Sequence, residues 1–136
     1  MQLKFRILNV FTAAARACPA IRCAWSKMAA GSTPPRMQAL ARQFNLSETT
    51  FILPSKRAAA LVRIFTPAYE MPFAGHPTLG TAHVCRALGL GGNQLGLEMR
   101  AGIIPVTANG DHWTLRAGGS LRRDWWRSSR RSSHAC

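Results

Sequence analysis

"EMPFAGHPTLGTAHV", residues 70–84, sets His76 between Gly75 and Pro77 just ahead of a run of small and apolar residues. Leu79, Ala82, Val84 and Leu88 give that run an apolar side, which predicts a helix from about Pro77 to Leu88. Proline suits the first helical position, where its missing N–H would find no acceptor anyway. "GLGG" (89–92) supplies the stop, because glycine takes a left-handed cap without strain. A helix N-terminus presents unpaired N–H groups and roughly half a positive charge, so it is suited to an anion. Gly75 leaves the approach open and His76 adds an imidazole. Taken alone, these residues also fit an ordinary surface histidine at a capping turn.

Working outward, "LKFRILNVF" (3–11) alternates with Leu3, Phe5 and Ile7 on one side and reads as a strand. Residues 13–36 show neither period. "MQALARQF" (37–44) puts Met37, Leu40, Ala41 and Phe44 at helical spacing. "TTFILP" and "ALVRIFTP" are strands stopped by Pro54 and Pro67, and they can pair as a hairpin across "SKRAA". "QLGLEMRAG", "IIPVTAN" and "HWTLRAG" are three further strands, the last two joined by a tight turn at Asn109–Gly110–Asp111. The order β, unassigned, α, β, β, α, β, β, β predicts an α+β domain with helices on a curved, mostly antiparallel sheet.

Charge and cysteines single out two other stretches. The net charge is +13, yet residues 13–36 and 121–136 supply eight of those charges. The excess therefore belongs to two atypical segments rather than to a basic surface interleaved with aromatics, and no nucleic-acid partner is expected. Cys18, Cys23 and Cys136 lie in or at the end of the same segments. No second Cys/His pair follows at zinc spacing, so neither a disulfide framework nor a metal site is expected, and a reduced cytoplasmic setting fits. No apolar run approaches the roughly 20 residues of a membrane span. Asn9 and Arg16 interrupt the apolar N-terminus, which argues against a signal peptide.

Glu48 is the second candidate site residue. "NLSETTF" (45–51) sets one carboxylate among hydroxyl residues, between a helix and an apolar strand. A half-buried carboxylate there takes up and releases protons readily, which suits general acid/base work. A solvated glutamate entering a strand fits the same residues.

Taken together, "FRILNVFT", "NLSETTFILP" and "VRIFTPAYEMPFAGHPTLGTAHV" resemble the N-terminal half of the PhzF family of phenazine-biosynthesis isomerases, over about residues 3–12 and 37–119. The resemblance implies one half of a diaminopimelate epimerase-like fold, with the sheet wrapped round a central helix that starts near Pro77. By resemblance, Glu48 matches the acid/base glutamate and His76 the active-site histidine. Gly75, Pro77 and Thr78 fall where backbone groups at the helix start would meet a small carboxylate-bearing substrate such as a dihydro-hydroxyanthranilate. The family needs no metal and no organic cofactor. The partners implied are a small-molecule substrate, with no nucleic acid and no membrane, and a homodimer is allowed.

Two departures qualify the match. The family continues from "VFT" into a G-N-P-x-A-V-V strand, where this chain has "CPAIRCAWSKMAAG". One permitted set of codons for Pro19–Ala29, read from the third base of the Pro19 codon, gives Gly-Asn-Pro-Leu-Arg-Val-Val-Gln-Asp-Gly, which points to a local frame change over residues 13–36. That segment is expected to be irregular, leaving a sheet edge unpaired. The second departure is "SLRRDWWRSSRRSSHAC" (120–136), expected to be a disordered basic tail after a domain spanning 1–119. The chain covers about one half of the implied fold, so little turnover is expected from it alone. The alternative function is a non-catalytic module gripping nucleic acid or an anionic surface through Trp125, Trp126 and the tail arginines.

Overall fold

Prolines and glycines divide the chain into short elements, and the hydrophobic pattern of each decides which face it buries. The computed structural model describes residues 4–10, 21–27 and 31–116. In chain order these form β1 (Phe5–Val10), β2 (Ile21–Lys27), α1 (Pro34–Phe44), β3 (Glu48–Leu53), β4 (Ala60–Phe65), β5 (Glu70–Met71), α2 (Gly75–Ala87), β6 (Gln94–Met99), β7 (Gly102–Asn109) and β8 (His112–Leu115). All strands join one sheet in the order β1-β2-β3-β4-β6-β7-β8, with β5 added beside β4. The pairs β2–β3 and β4–β6 are parallel and the others antiparallel. The class is α+β, as the sequence predicts.

The two helices cover opposite faces. Met37 and Ala41 of α1 are fully buried and pack with Phe51, Leu53 and Phe65. On the other face, Ala82, Val84 and Cys85 of α2 pack with Cys23, Trp25, Ile52, Val62, Ile64, Leu97 and Val106. Helix α2 touches both β1 and β8, the two ends of the sheet, so the sheet is curled around it.

The structure departs from the sequence reading within residues 13–36. Residues 21–27 form β2, which pairs with β1 on one side and β3 on the other, and α1 begins at Pro34. The edge expected to be bare is therefore filled. Cys23, Ala24, Trp25 and Ser26 are all buried, so both faces of the strand are covered, the Cys23 and Trp25 face by α2. A strand covered on both sides shows no polar–apolar alternation, so its period is hidden in the sequence. The Trp25 Nε1–H donates to Thr81 Oγ1 at 2.8 Å, and Thr81 Oγ1 in turn donates to Pro77 O at 2.6 Å. These bonds tie β2 to the first turns of α2. Strand β1 also differs in emphasis. Leu8 and Val10 pack inward, whereas Phe5 and Ile7 stay half exposed, with the Phe5 ring tilted against Phe44 at a centroid distance of 4.9 Å.

The turns follow their residues. Gly110 has φ of +61° and, with Asp111, closes the two-residue β7–β8 hairpin between Asn109 and His112. Ser55 Oγ accepts the N–H groups of Arg57 and Ala58 at 3.0 Å and donates to Glu98 Oε2 at 2.6 Å, which shapes the turn of the β3–β4 hairpin. Helix α2 is capped by Leu88 and followed by Gly89, at φ of +71°. The segment 120–136, with Trp125 and Trp126, lies outside the described residues, as do residues 13–20.

Candidate active site

Glu48 is the first residue of β3, and its side chain points to the α2 side of the sheet. Its parallel register partner on β2 is Cys23, and the N-terminal turn of α2 lies above them. His76, the second residue of α2, reaches down to the carboxylate: His76 Nε2 and Glu48 Oε2 are 2.8 Å apart. Both side chains are mostly buried, 16% and 13% exposed. A single proton can sit on either atom, donated by Nε2–H to a carboxylate or by a carboxylic acid to the ring. The same oxygen, Oε2, accepts the Cys23 S–H at 3.4 Å. Burial, and after it the Glu48 charge, push the Cys23 thiol well above the ordinary range, so it stays protonated beside the carboxylate.

The helix start is placed two residues earlier than the sequence predicts. The N-cap is Ala74 and the first helical residues are Gly75 and His76, so Pro77 occupies the third position rather than the first. Its missing N–H still falls among the positions that have no acceptor within the helix. Gly75 is exposed, and a Cβ added there would meet nothing within 4 Å, so the helix start is open on that side. Thr78 differs from the expectation. Its backbone N–H donates to Ala74 O at 3.3 Å, its hydroxyl donates to the same oxygen at 2.6 Å, and the residue is fully buried. The early helix start consumes the Thr78 amide, which leaves the anion-facing end to the turn at Gly75 and His76. Pro77 is buried and presents its carbonyl to Thr81.

The structure thus brings together Glu48 and His76, keeps Gly75 beside them on the open side, and turns Pro77 and Thr78 inward. It also adds Cys23. The signal for Cys23 was its place on a strand next to "SETTF", which the irregular flanking composition hid.

The loop before α2 is held by Glu70. Its carboxylate takes both Arg63 donors, at 2.7 and 2.6 Å, and Arg100 Nη1 at 3.3 Å. A forked pair of this kind fixes orientation as well as charge, and so steers the chain through Phe73 and Ala74 into the helix start.

A curled α+β sheet around one helix, with a sheet-borne glutamate against a histidine at that helix's N-terminus, defines a diaminopimelate epimerase-like lobe. The family of phenazine biosynthesis-like proteins, PhzC-PhzF, matches residues 10–118, and the chain belongs to it. Curated relatives include an uncharacterized isomerase of Pasteurella multocida, 49% identical over 79 residues, or 56% of this chain and 27% of the relative. The trans-2,3-dihydro-3-hydroxyanthranilate isomerase of Pseudomonas aeruginosa is 51% identical over 71 residues, 52% of this chain and 25% of that protein. The chain therefore spans about a quarter of the length of these relatives. Among solved structures, a PhzF-family protein of Enterococcus faecalis superposes with a TM-score of 0.73 at 26% identity, over 83% of this chain and 43% of that one. A probable proline racemase of Agrobacterium radiobacter, with a TM-score of 0.58 at 15% identity, over 82% of this chain and 41% of that one, shares the fold. Among the described residues, no helix is long and apolar enough to cross a membrane.

Proposed function

We propose that Glu48 and His76 are the proton-transfer pair of an isomerase acting on a small carboxylate-bearing metabolite, of which trans-2,3-dihydro-3-hydroxyanthranilate is the model. The observation that carries this reading is the 2.8 Å contact between a sheet-borne carboxylate and an imidazole, each mostly shielded from water. In this scheme Glu48 takes a proton from one substrate carbon and returns it to another, so the substrate's double bonds shift with no net loss of atoms. His76 orients the carboxylate and steadies whichever protonation state the step leaves behind. The substrate's own carboxylate lies at the open end of α2, near the Gly75 N–H, where the helix dipole favours an anion. Names of relatives support the reaction class, since the Pseudomonas protein carries this substrate in its name. The setting in this reading is the cytoplasm, where Cys23 and Cys85 stay reduced.

Since little turnover is expected from this chain alone, the experiment is to incubate a full-length relative, such as the Pseudomonas aeruginosa isomerase, with that substrate in D2O and follow deuterium incorporation by NMR. Substrate binding is measured in parallel, and the substitution is made at the glutamate that matches Glu48. Glutamine there keeps the shape of the side chain but cannot carry the proton. Incorporation should fall by about 10²–10⁴-fold, while the dissociation constant changes only a few-fold, because a proton carrier acts mainly in the transition state. Incorporation by the glutamine variant equal to that of its active full-length parent would remove the acid/base role.

A further inference from the structure

The thiol of Cys23 has no part in that proton transfer, yet it donates to the Glu48 carboxylate and lies within 4.8 Å of the His76 ring nitrogen. Ligand atoms from Cys23, Glu48 and His76 all lie within 4.8 Å of one another. Sγ to Oε2 is 3.4 Å and Nε2 to Oε2 is 2.8 Å. We infer that these three side chains form a binding site for a thiophilic divalent cation, Zn2+ being the best fit. The cation would seat on the same atoms that move the proton.

Three features favour this over a plain hydrogen-bonded cluster. The first is donor chemistry: one sulfur, one imidazole nitrogen and one carboxylate oxygen form a mixed set that suits Zn2+ and is poor for Mg2+ or Ca2+, which take oxygen ligands. The second is spacing. Ligands at the usual 2.0–2.3 Å from a tetrahedral zinc stand about 3.3–3.6 Å from each other. The sulfur–oxygen pair already has that separation, and the nitrogen–oxygen pair needs to open by roughly half an ångström, within reach of small side-chain rotations. The third is origin. The donors come from β2, β3 and α2, and Cys23 and Glu48 are register partners on adjacent strands, so two of the three are fixed by the sheet itself.

Three protein ligands leave a fourth position for water or for a substrate oxygen. Binding replaces the S–H bond with a metal–sulfur bond and releases one proton to solvent. The positive ion also cancels the carboxylate charge that keeps the thiol protonated. Because Cys23 belongs to the stretch that departs from the family pattern, this site is a property of the present sequence.

The test uses the full chain carrying Cys18→Ser and Cys136→Ser, so that Cys23 and Cys85 are the only thiols. Co2+ should produce a near-ultraviolet sulfur-to-metal charge-transfer band. Cys23→Ser should abolish the band and Cys85→Ser should leave it. Zn2+ affinity, read by competition with a chromophoric chelator, should fall at least tenfold in Cys23→Ser and in His76→Ala. X-ray absorption on the Zn2+-loaded chain should show one sulfur neighbour among nitrogen and oxygen neighbours, and this measurement needs no substitution at the site. A first shell of nitrogen and oxygen only, or Zn2+ affinity unchanged in both variants, would overturn the assignment. None of these readouts requires turnover, so they stand or fall separately from the isomerase reading.

Discussion

Gly80→Ala should destabilise the protein, although alanine is the better helix former. Gly80 lies in α2 directly against Trp25. A Cβ placed there would run into Trp25 Cζ2, come within 2.8 Å of Cη2, and sit 3.1 Å from Val10 Cγ2. The indole has nowhere to go, since it is 1% exposed and its N–H is held by Thr81 at 2.8 Å. Alanine gains about 0.8–1 kcal/mol of helix propensity. Overpacking costs about 1–3 kcal/mol, and drawing the indole off Thr81 forfeits about 0.5–1.5 kcal/mol more. Packing wins, with a net loss of about 0.5–3.5 kcal/mol. In a Trp25→Leu background the distal ring atoms are gone. There the same substitution should lose most of its packing cost, keeping the tight 3.1 Å approach to Val10 Cγ2, and at most stabilise by the helix-propensity gain of about 0.8–1 kcal/mol. Urea unfolding followed by far-UV circular dichroism on the four chains forms a double-mutant cycle. An equal effect of Gly80→Ala in both backgrounds would show that residues 21–27 do not lie against α2, and the account of the fold would fail there.

Other outcomes follow from single contacts. Glu70→Gln leaves Arg63, only 20% exposed, without its charged partner, and should lower stability by about 1.5–3 kcal/mol in the same urea experiment. Arg100→Ala removes the 66% exposed partner and should change it by less than about 1 kcal/mol. Thr49 Oγ1 is buried with no hydrogen-bond partner among the described residues, so Thr49→Val should stabilise by about 1 kcal/mol, read as a rise in melting temperature. Burial pushes the Cys85 thiol from 9.0 up to about 11. The folded state thus holds that proton to higher pH than the unfolded chain does. Its contribution is complete below pH 9 and is lost as pH rises through 11. Cys85→Ala should make the alkaline loss of stability shallower by about 2–3 kcal/mol, as seen in unfolding midpoints between pH 8 and 11.5; parallel curves would contradict the buried-thiol argument.

Much of this architecture was legible because local chemistry and tertiary contacts agree. The prolines at 54 and 67 bound the β3–β4 hairpin, Asn109–Gly110–Asp111 turns β7 into β8, and the spacing of Met37, Leu40, Ala41 and Phe44 is that of α1. "SETTF" and "AGHPT" located the carboxylate and the imidazole that meet at 2.8 Å. Strand β2 was hidden for a physical reason. Both of its faces are covered, so Cys23–Ala24–Trp25–Ser26 carry no period, and Arg22 and Lys27 at its ends read as surface. With β2 unseen, Cys23 could not be placed beside Glu48. Thr78 went astray because Pro77 fits any of the first helical positions equally well, and only the bonds from Thr78 to Ala74 O show that the helix had already begun.

The curl of the sheet about α2 also sets an order of events during synthesis. Leu8, Val10, Cys23 and Trp25 are made early, but the helix that covers them runs from Gly75 to Ala87. About fifty residues separate Trp25 from that cover, which at 5–20 residues per second is roughly 3–10 s of exposure on the ribosome. The last strand to touch α2, β8, ends at Leu115. Until it is made, the helix lies in a trough open along one side. The nascent chain therefore presents its apolar concave face longest at the strand that carries Cys23 and Trp25, which makes that face the natural point of contact for a chaperone or for a second unfinished chain.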